Sequence, residues 1–153
     1  MTLSRLSAGR IILTVVALFT AISPYVFDWN VTHIYNPAWP PHAKFHNAQT
    51  MVLGAMLGLV TLYCTWLRNA VSLKQSLNEA VAAVSLYWLS QFPAISFPGT
   101  ALTDPDGNHL TPPMIFGVIE FNQITMDLLV VLPLIAIAYA LESTRLRRNN
   151  ADK

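Results

Sequence analysis

Trp29-Asn-Val-Thr-His33-Ile-Tyr-Asn-Pro37-Ala-Trp39-Pro40-Pro41-His42-Ala-Lys44-Phe45-His46 is the most polar and most rigid stretch of this chain. It holds three of the four histidines, and Pro37, Pro40 and Pro41 each fix φ and remove a backbone donor. On either side the chain turns apolar. Four apolar segments run from about Ile11 to Phe27, Ala48 to Leu67, Leu77 to Phe97 and Met114 to Leu141. A membrane-spanning helix needs about 20 largely apolar residues. The last three segments meet that length. The first does so once Leu6 to Gly9 extend it, with Arg10 snorkelling toward headgroups. The reading is an all-α, four-helix transmembrane bundle in a single integral membrane domain over residues 1–153. Its helices are expected at about 8–27, 42–67, 77–97 and 114–141, and its outer loops at 28–41 and 98–113.

Composition points the same way. Of 153 residues, 54% are hydrophobic and 11% are charged, whereas soluble domains carry about 25% charged residues. The polar surface of a soluble domain cannot be built from this chain. A net charge of +1, with no basic face interleaved with aromatics, gives no nucleic-acid signal. Cys64 stands alone in an apolar run, so there is no disulfide framework and no CxxC motif. Arg5 and Arg10 ahead of an apolar run also fit a signal peptide. The lack of an A-x-A site and the interfacial character of Pro24, Tyr25 and Phe27 favour a retained helix.

Lys and Arg orient the bundle. Arg5 and Arg10 precede the first segment, Arg68 and Lys74 lie in the second loop, and Arg145, Arg147, Arg148 and Lys153 follow the fourth. Only Lys44 falls on the other side. An even number of helices then puts both termini in the cytoplasm. The two outer loops carry His33, His42, His46 and His109. The Asp104-Pro105-Asp106-Gly107 run reads as a turn.

Two groups of residues can carry chemistry. His42 and His46, four apart, stack on one face of a helix opened by Pro41, a spacing suited to two ligands of one ion. Continuing by fours reaches Gly54 and Gly58, a GxxxG pair that allows close helix approach, so the histidine stripe is expected to turn into the bundle. Glu120, Gln123 and Asp127 share a face of the fourth segment. Counted from Met114, just beyond Pro113, at 1.5 Å per residue, Glu120 sits about 9 Å down the helix and Asp127 about 20 Å. A mid-membrane carboxyl must be paired, protonated or wetted, and is a functional candidate by default. Pro133 should kink this helix and free the Leu129 carbonyl. Glu79 should meet Arg68 or Lys74 at the inner interface.

The opening stretch resembles a signature of small uncharacterised four-helix integral membrane proteins, W-N-x-T-H-x-x-N-P-x-W-P-P-H-A-[KR]-F-H. The matching residues are Trp29, Asn30, Thr32, His33, Asn36, Pro37, Trp39 to Ala43, Lys44, Phe45 and His46. The resemblance implies a four-helix membrane plan and no established activity. By helix count and residue types alone, the plan is also similar to the emopamil-binding and sterol-isomerase class, whose bundles hold His and Glu in a lipid-facing cavity and move protons on a carbocation.

The expectation is a membrane enzyme acting on a lipophilic small molecule at the outer mouth of the bundle. His33, His46, Glu120 and Asp127 would carry acid–base chemistry, with Trp39, Trp88, Gln91 and Gln123 contacting the substrate. In a metal version His33, His42, His46 and Glu120 or His109 would hold one divalent ion, and zinc, iron and copper all fit. The alternative is a small transporter, channel subunit or ligand-binding module without catalysis, with Glu120, Gln123 and Asp127 marking a polar path. A conduit this narrow calls for a homo-oligomer. A structural or assembly partner is the third reading. A bacterial inner membrane is favoured over a eukaryotic endoplasmic reticulum membrane.

Overall fold

The structure is a computed structural model, and it describes residues 6–68, 72–102 and 113–151. Four helices form the bundle. Helix α1 runs Ala8–Asp28, α2 runs Pro41–Trp66 and α3 runs Leu73–Leu89, followed by a single turn, α4, at Gln91–Ala94. Helix α5 runs Gln123–Ala151 and contains a π turn at Asp127–Val131. Helices α1, α2 and α5 are each long and apolar enough to cross a membrane.

Local chemistry sets the helix starts. Ser7 Oγ accepts the Arg10 N–H at 3.3 Å and Ser72 Oγ accepts the Gln75 N–H at 3.1 Å, which caps α1 and α3. Pro41 fills the first position of α2, where a missing N–H costs nothing. Asn122 and Thr125 cap α5 reciprocally: Asn122 Oδ1 accepts the Thr125 N–H at 3.1 Å, and Thr125 Oγ1 accepts the Asn122 N–H at 2.7 Å.

The helices run up and down in a ring. α1 lies beside α2 and α5, and α3 closes the ring between α2 and α5. The start of α1 and the end of α5 therefore lie at one end of the bundle, the terminal end, and the Trp29–Pro40 loop lies at the other, the loop end. Polar contacts tie the terminal end together. Glu142 is buried and accepts from Ser7 Oγ at 2.5 Å and Arg145 Nε at 3.0 Å, with Arg10 Nε at 3.6 Å. Lys74 Nζ donates to Tyr139 at 2.9 Å and to Ser143 at 2.7 Å. Arg68 pairs with Glu79 at 2.6 Å, as the sequence leads one to expect. Trp66 Nε1 donates to Thr14 at 2.8 Å.

Leu13, Val16, Val84, Trp88, Val131 and Ile135 make the centre of the core. The outside is apolar too. Ile11, Val15, Leu18 and Ile22 form a stripe on α1 and are 50, 57, 44 and 54% exposed. A chain that is apolar inside and out has lipid as its solvent, and this is a membrane protein.

α1 and α2 touch backbone to backbone. A Cβ on Gly58 would sit 2.5 Å from the Ala17 carbonyl oxygen, and one on Gly54 would sit 2.9 Å from that of Thr20. The GxxxG pair does pack inward, but His42 and His46 are exposed. The reason is helical drift. At 3.6 residues per turn, each step of four overshoots a full turn by roughly 40°. Three such steps carry His46 roughly 120° away from Gly58. The buried stripe instead steps by four and three through Met51, Gly54, Gly58, Thr61 and Thr65.

Two further expectations are corrected. The third helix, expected at 77–97, runs 73–89 and breaks before Pro93, and it is not among the three long apolar helices. The fourth was expected to begin near Met114. Met114–Ile115 instead pairs with Ile119–Glu120 in an antiparallel hairpin. The Val118 N–H reaches the Ile115 carbonyl at 3.1 Å across Phe116 and Gly117, both at positive φ (51° and 69°). That is the pattern of a type I′ turn. Residues 114–120 thus leave the helix, and Asp127 lies only about 6 Å below the start of α5 at 1.5 Å per residue. An irregularity does precede Pro133. It takes the form of the π turn, whose Leu132 N–H reaches back five residues to Asp127, widening the backbone where the ring would meet the Leu129 carbonyl.

Gly58→Ala should cost about 1–3 kcal/mol of stability by overpacking, read as a lowered Tm in detergent. An unchanged Tm would show that α1 and α2 are not in backbone contact there.

Candidate functional site

The loop end contains a cavity of about 290 Å³. Its walls come from the end of α1 (Ser23, Pro24, Phe27, Asp28), the end of α3 (Tyr87, Trp88, with Gln91 beyond) and the start of α5 (Gln123, Met126), and His33 reaches in from the loop. A second cavity of about 340 Å³ adjoins it. The two share Asp28, Tyr87, Gln91 and Gln123.

The loop is built to hold His33. Asn30 Oδ1 accepts the Thr32 N–H at 2.7 Å, and Asn30 Nδ2 donates to the Phe27 carbonyl at 2.6 Å. Asn36 Oδ1 accepts the Ala38 N–H at 2.9 Å while its Nδ2 donates to the Thr32 carbonyl at 3.1 Å. These Asx turns replace regular secondary structure. Trp39 places its ring edge-on to His33, with centroids 5.1 Å apart. Trp29 Nε1 donates to Tyr35 at 2.8 Å.

The network sets the tautomer of His33. Asn30 presents its oxygen to Thr32, because its nitrogen is occupied by Phe27. Thr32 Oγ1 lies 2.6 Å from Asn30 Oδ1 and 2.6 Å from His33 Nδ1. Asn30 Oδ1 is only an acceptor, so the single hydroxyl hydrogen of Thr32 goes to it. His33 Nδ1 must then donate to Thr32. In the neutral ring Nε2 is the bare nitrogen, and it lies 4.0 Å from Asp28 Oδ1. That is too long for a direct hydrogen bond.

Asp28 closes α1, where the helix dipole disfavours a carboxylate and favours a cation. Two neighbours compensate. Asn47 Nδ2 donates to Asp28 Oδ2 at 3.0 Å, and the other oxygen faces His33. Asn47 is seven residues before Gly54, two turns along the stripe that packs on α1. Trp88 forms the cavity floor. It is 2% exposed, its Nε1 donates to Thr20 Oγ1 at 2.8 Å, and Phe19 stacks on it at 5.5 Å. Gln91 Oε1 is buried with no hydrogen-bond partner among the described residues.

With this geometry, residues 12–153 match a family of unknown function, DUF6640. The chain belongs to that family. No curated protein and no solved structure matches the chain.

Of the residues singled out in the sequence, His33, Trp88, Gln91 and Gln123 converge on the cavity. Trp39 packs on His33 without lining the cavity. His42 and His46 lie on the exposed face of α2, with Nε2 atoms 3.1 Å apart. Glu120 is exposed on the hairpin, outside the helix that was to carry it inward. Asp127 is fully buried one turn below Gln123, and neither carboxyl oxygen has a hydrogen-bond partner among the described residues. Among those residues no three His, Cys, Asp or Glu side chains come together to hold a metal ion, so the set His33, His42, His46 and Glu120 is not assembled. His109 and the Asp104–Gly107 turn lie outside the described residues. Asp28 and Asn47 escaped the sequence reading. Asp28 passes for the polar end of an apolar segment, although it stands five residues before His33. Asn47 shows only when the Gly54 stripe is continued by sevens instead of fours.

In protein labelled with 15N at histidine, the neutral ring of His33 should show Nδ1 protonated and Nε2 bare. Thr32→Val removes the acceptor and should shift the ring toward the Nε2-protonated tautomer. A wild-type ring protonated at Nε2 contradicts this hydrogen-bond assignment.

Proposed function

We propose that this multi-pass membrane protein binds a lipophilic small molecule in the loop-end cavity and moves a proton on it with His33, supported by Asp28. The carrying observation is the pairing of a bare imidazole nitrogen with a nearby carboxylate at the mouth of a cavity walled by Phe27, Tyr87, Trp88 and Phe121. Apolar walls with a few convergent polar groups are what such ligands require.

The chemistry follows from the gap. A ligand hydroxyl about 2.8 Å from both His33 Nε2 and Asp28 Oδ1 would subtend roughly 90° between them. It can donate to the carboxylate while it accepts from Nε2–H of the protonated ring. In the other direction, bare Nε2 takes a proton from a C–H or O–H of the ligand. The carboxylate and the helix C-terminus both stabilise the imidazolium that forms. Isomerisation is the reaction class that needs only such a shuttle. Gln91 and Gln123 would orient the polar end of the ligand, and Trp88 would meet its apolar body.

Transport is less well supported. Below the cavity, Trp88, Val84, Val131 and Ile135 are each under 5% exposed, and a cavity closed at the terminal end suits a binder or an enzyme. The charge bias of the loops supports cytoplasmic termini. Arg10, Arg68, Lys74 and Arg145 all lie at the terminal end, so the cavity would open on the opposite face.

The test uses the organic extract of host membranes with detergent-purified protein in D2O. Wild type should retain a lipophilic component and catalyse deuterium exchange into it. His33→Gln should retain it and lose the exchange, and Trp88→Ala should lose retention. Exchange that persists in His33→Gln contradicts the proton-transfer role, and equal retention in Trp88→Ala contradicts the cavity as the binding site.

A further inference from the structure

We infer that His42 and His46 form a two-nitrogen chelate for one divalent transition-metal ion on the outer face of α2, separate from the loop-end cavity. Their Nε2 atoms face each other at 3.1 Å. An imidazole nitrogen binds such ions at about 2.0–2.1 Å, so this pair would subtend roughly 95–100° at the ion. That angle lies between the cis octahedral and tetrahedral values. The rings are already set at 78° to each other with centroids 4.5 Å apart, and Phe45 packs against both.

The hydrogen inventory supports the same site. His46 Nδ1 lies 3.2 Å from Gln49 Oε1, a pure acceptor, so Nδ1 carries the hydrogen and Nε2 is bare. Such an outer partner is how proteins fix the ligating nitrogen of a histidine. In the metal-free form His42 Nε2–H donates to His46 Nε2. When an ion binds, His42 moves its hydrogen from Nε2 to Nδ1 through water, and both lone pairs turn to the metal with no net release of protons. Both histidines are exposed, so the remaining coordination positions are open to water. Nitrogen-only ligation from imidazoles favours Cu²⁺, with Ni²⁺ and Zn²⁺ weaker and Mn²⁺ weakest, and leaves Mg²⁺ to oxygen sites. The four-ligand set expected from the sequence thus reduces to a two-ligand site of different location.

The experiment is equilibrium dialysis of tag-free, detergent-purified protein against Cu²⁺ or Zn²⁺, with metal read by elemental analysis. Wild type should bind one ion per chain at this site. His42→Ala/Lys44→His keeps the number of histidines but puts them two residues apart, on different faces of α2, and should abolish that ion. Gln49→Ala should weaken it by about 10-fold, and His33→Gln should leave it unchanged. All these side chains are at least partly exposed, and the apo Tm reports that each variant is folded. Absence of a stoichiometric ion in wild type overturns the inference. So does full binding by His42→Ala/Lys44→His, or loss of the ion in His33→Gln.

Discussion

The close approach of α1 and α2 at Gly54 and Gly58 is the constraint on which the loop end depends. In lipid, helices gain little from burying apolar surface against each other, and association rests on backbone proximity and hydrogen bonds. The two glycines let α2 lie against the carbonyls of Ala17 and Thr20. The same contact stripe, carried two turns further, brings Asn47 to Asp28. Asp28 in turn faces His33, and the Asx turns of Asn30 and Asn36 hold that histidine over the cavity. A change of register between α1 and α2 would separate Asn47 from Asp28 before it disturbed the core.

Polar groups are distributed by the same logic. The terminal end spends its charges on one another: Glu142 with Arg10 and Arg145, and Glu79 with Arg68. The core hydroxyls of Thr20, Thr61 and Thr65 bond back to carbonyls of their own helices. At the loop end the balance differs. Asp28 stands against its helix dipole, Gln91 Oε1 has no described partner, and Asp127 is buried without one as the first residue of a π turn, a feature often found at functional sites. Asn47 Oδ1, Gln91 Oε1 and both Asp127 oxygens at this half of the bundle, like Ser76 Oγ at the other, are buried without a hydrogen-bond partner among the described residues, and such groups call for a ligand, water or a proton to complete them.

Much of the architecture was legible. Pro40–Pro41 announced the start of α2, and the apolar lengths announced the bundle. Phe116–Gly117 was not legible as a hairpin, because an apolar run without Asn or Asp reads as the first turns of a helix. Yet Asn122-x-x-Thr125, a reciprocal cap, stood at the true start of α5. Glu120 was misplaced for that reason alone. The site was half legible. His33, Trp88, Gln91 and Gln123 could be named from residue type and position. Asp28 required knowing that the loop folds back on the helix it leaves, which depends on the Asn30 and Asn36 turns and not on periodicity. His42 and His46 were drawn inward by counting in fours on a helix that turns every 3.6 residues.

The central claim is that the loop-end cavity is open to the face opposite the termini and closed toward the core. Ser23→Cys, placed in the cavity wall of a Cys64→Ser protein, tests it most directly. A small, charged, membrane-impermeant thiol reagent should label this cysteine from the loop side, and Thr61→Cys, buried in the core, should stay unlabelled from either side. Labelling of Ser23→Cys only from the terminal side, or equal labelling of both positions, would contradict the account.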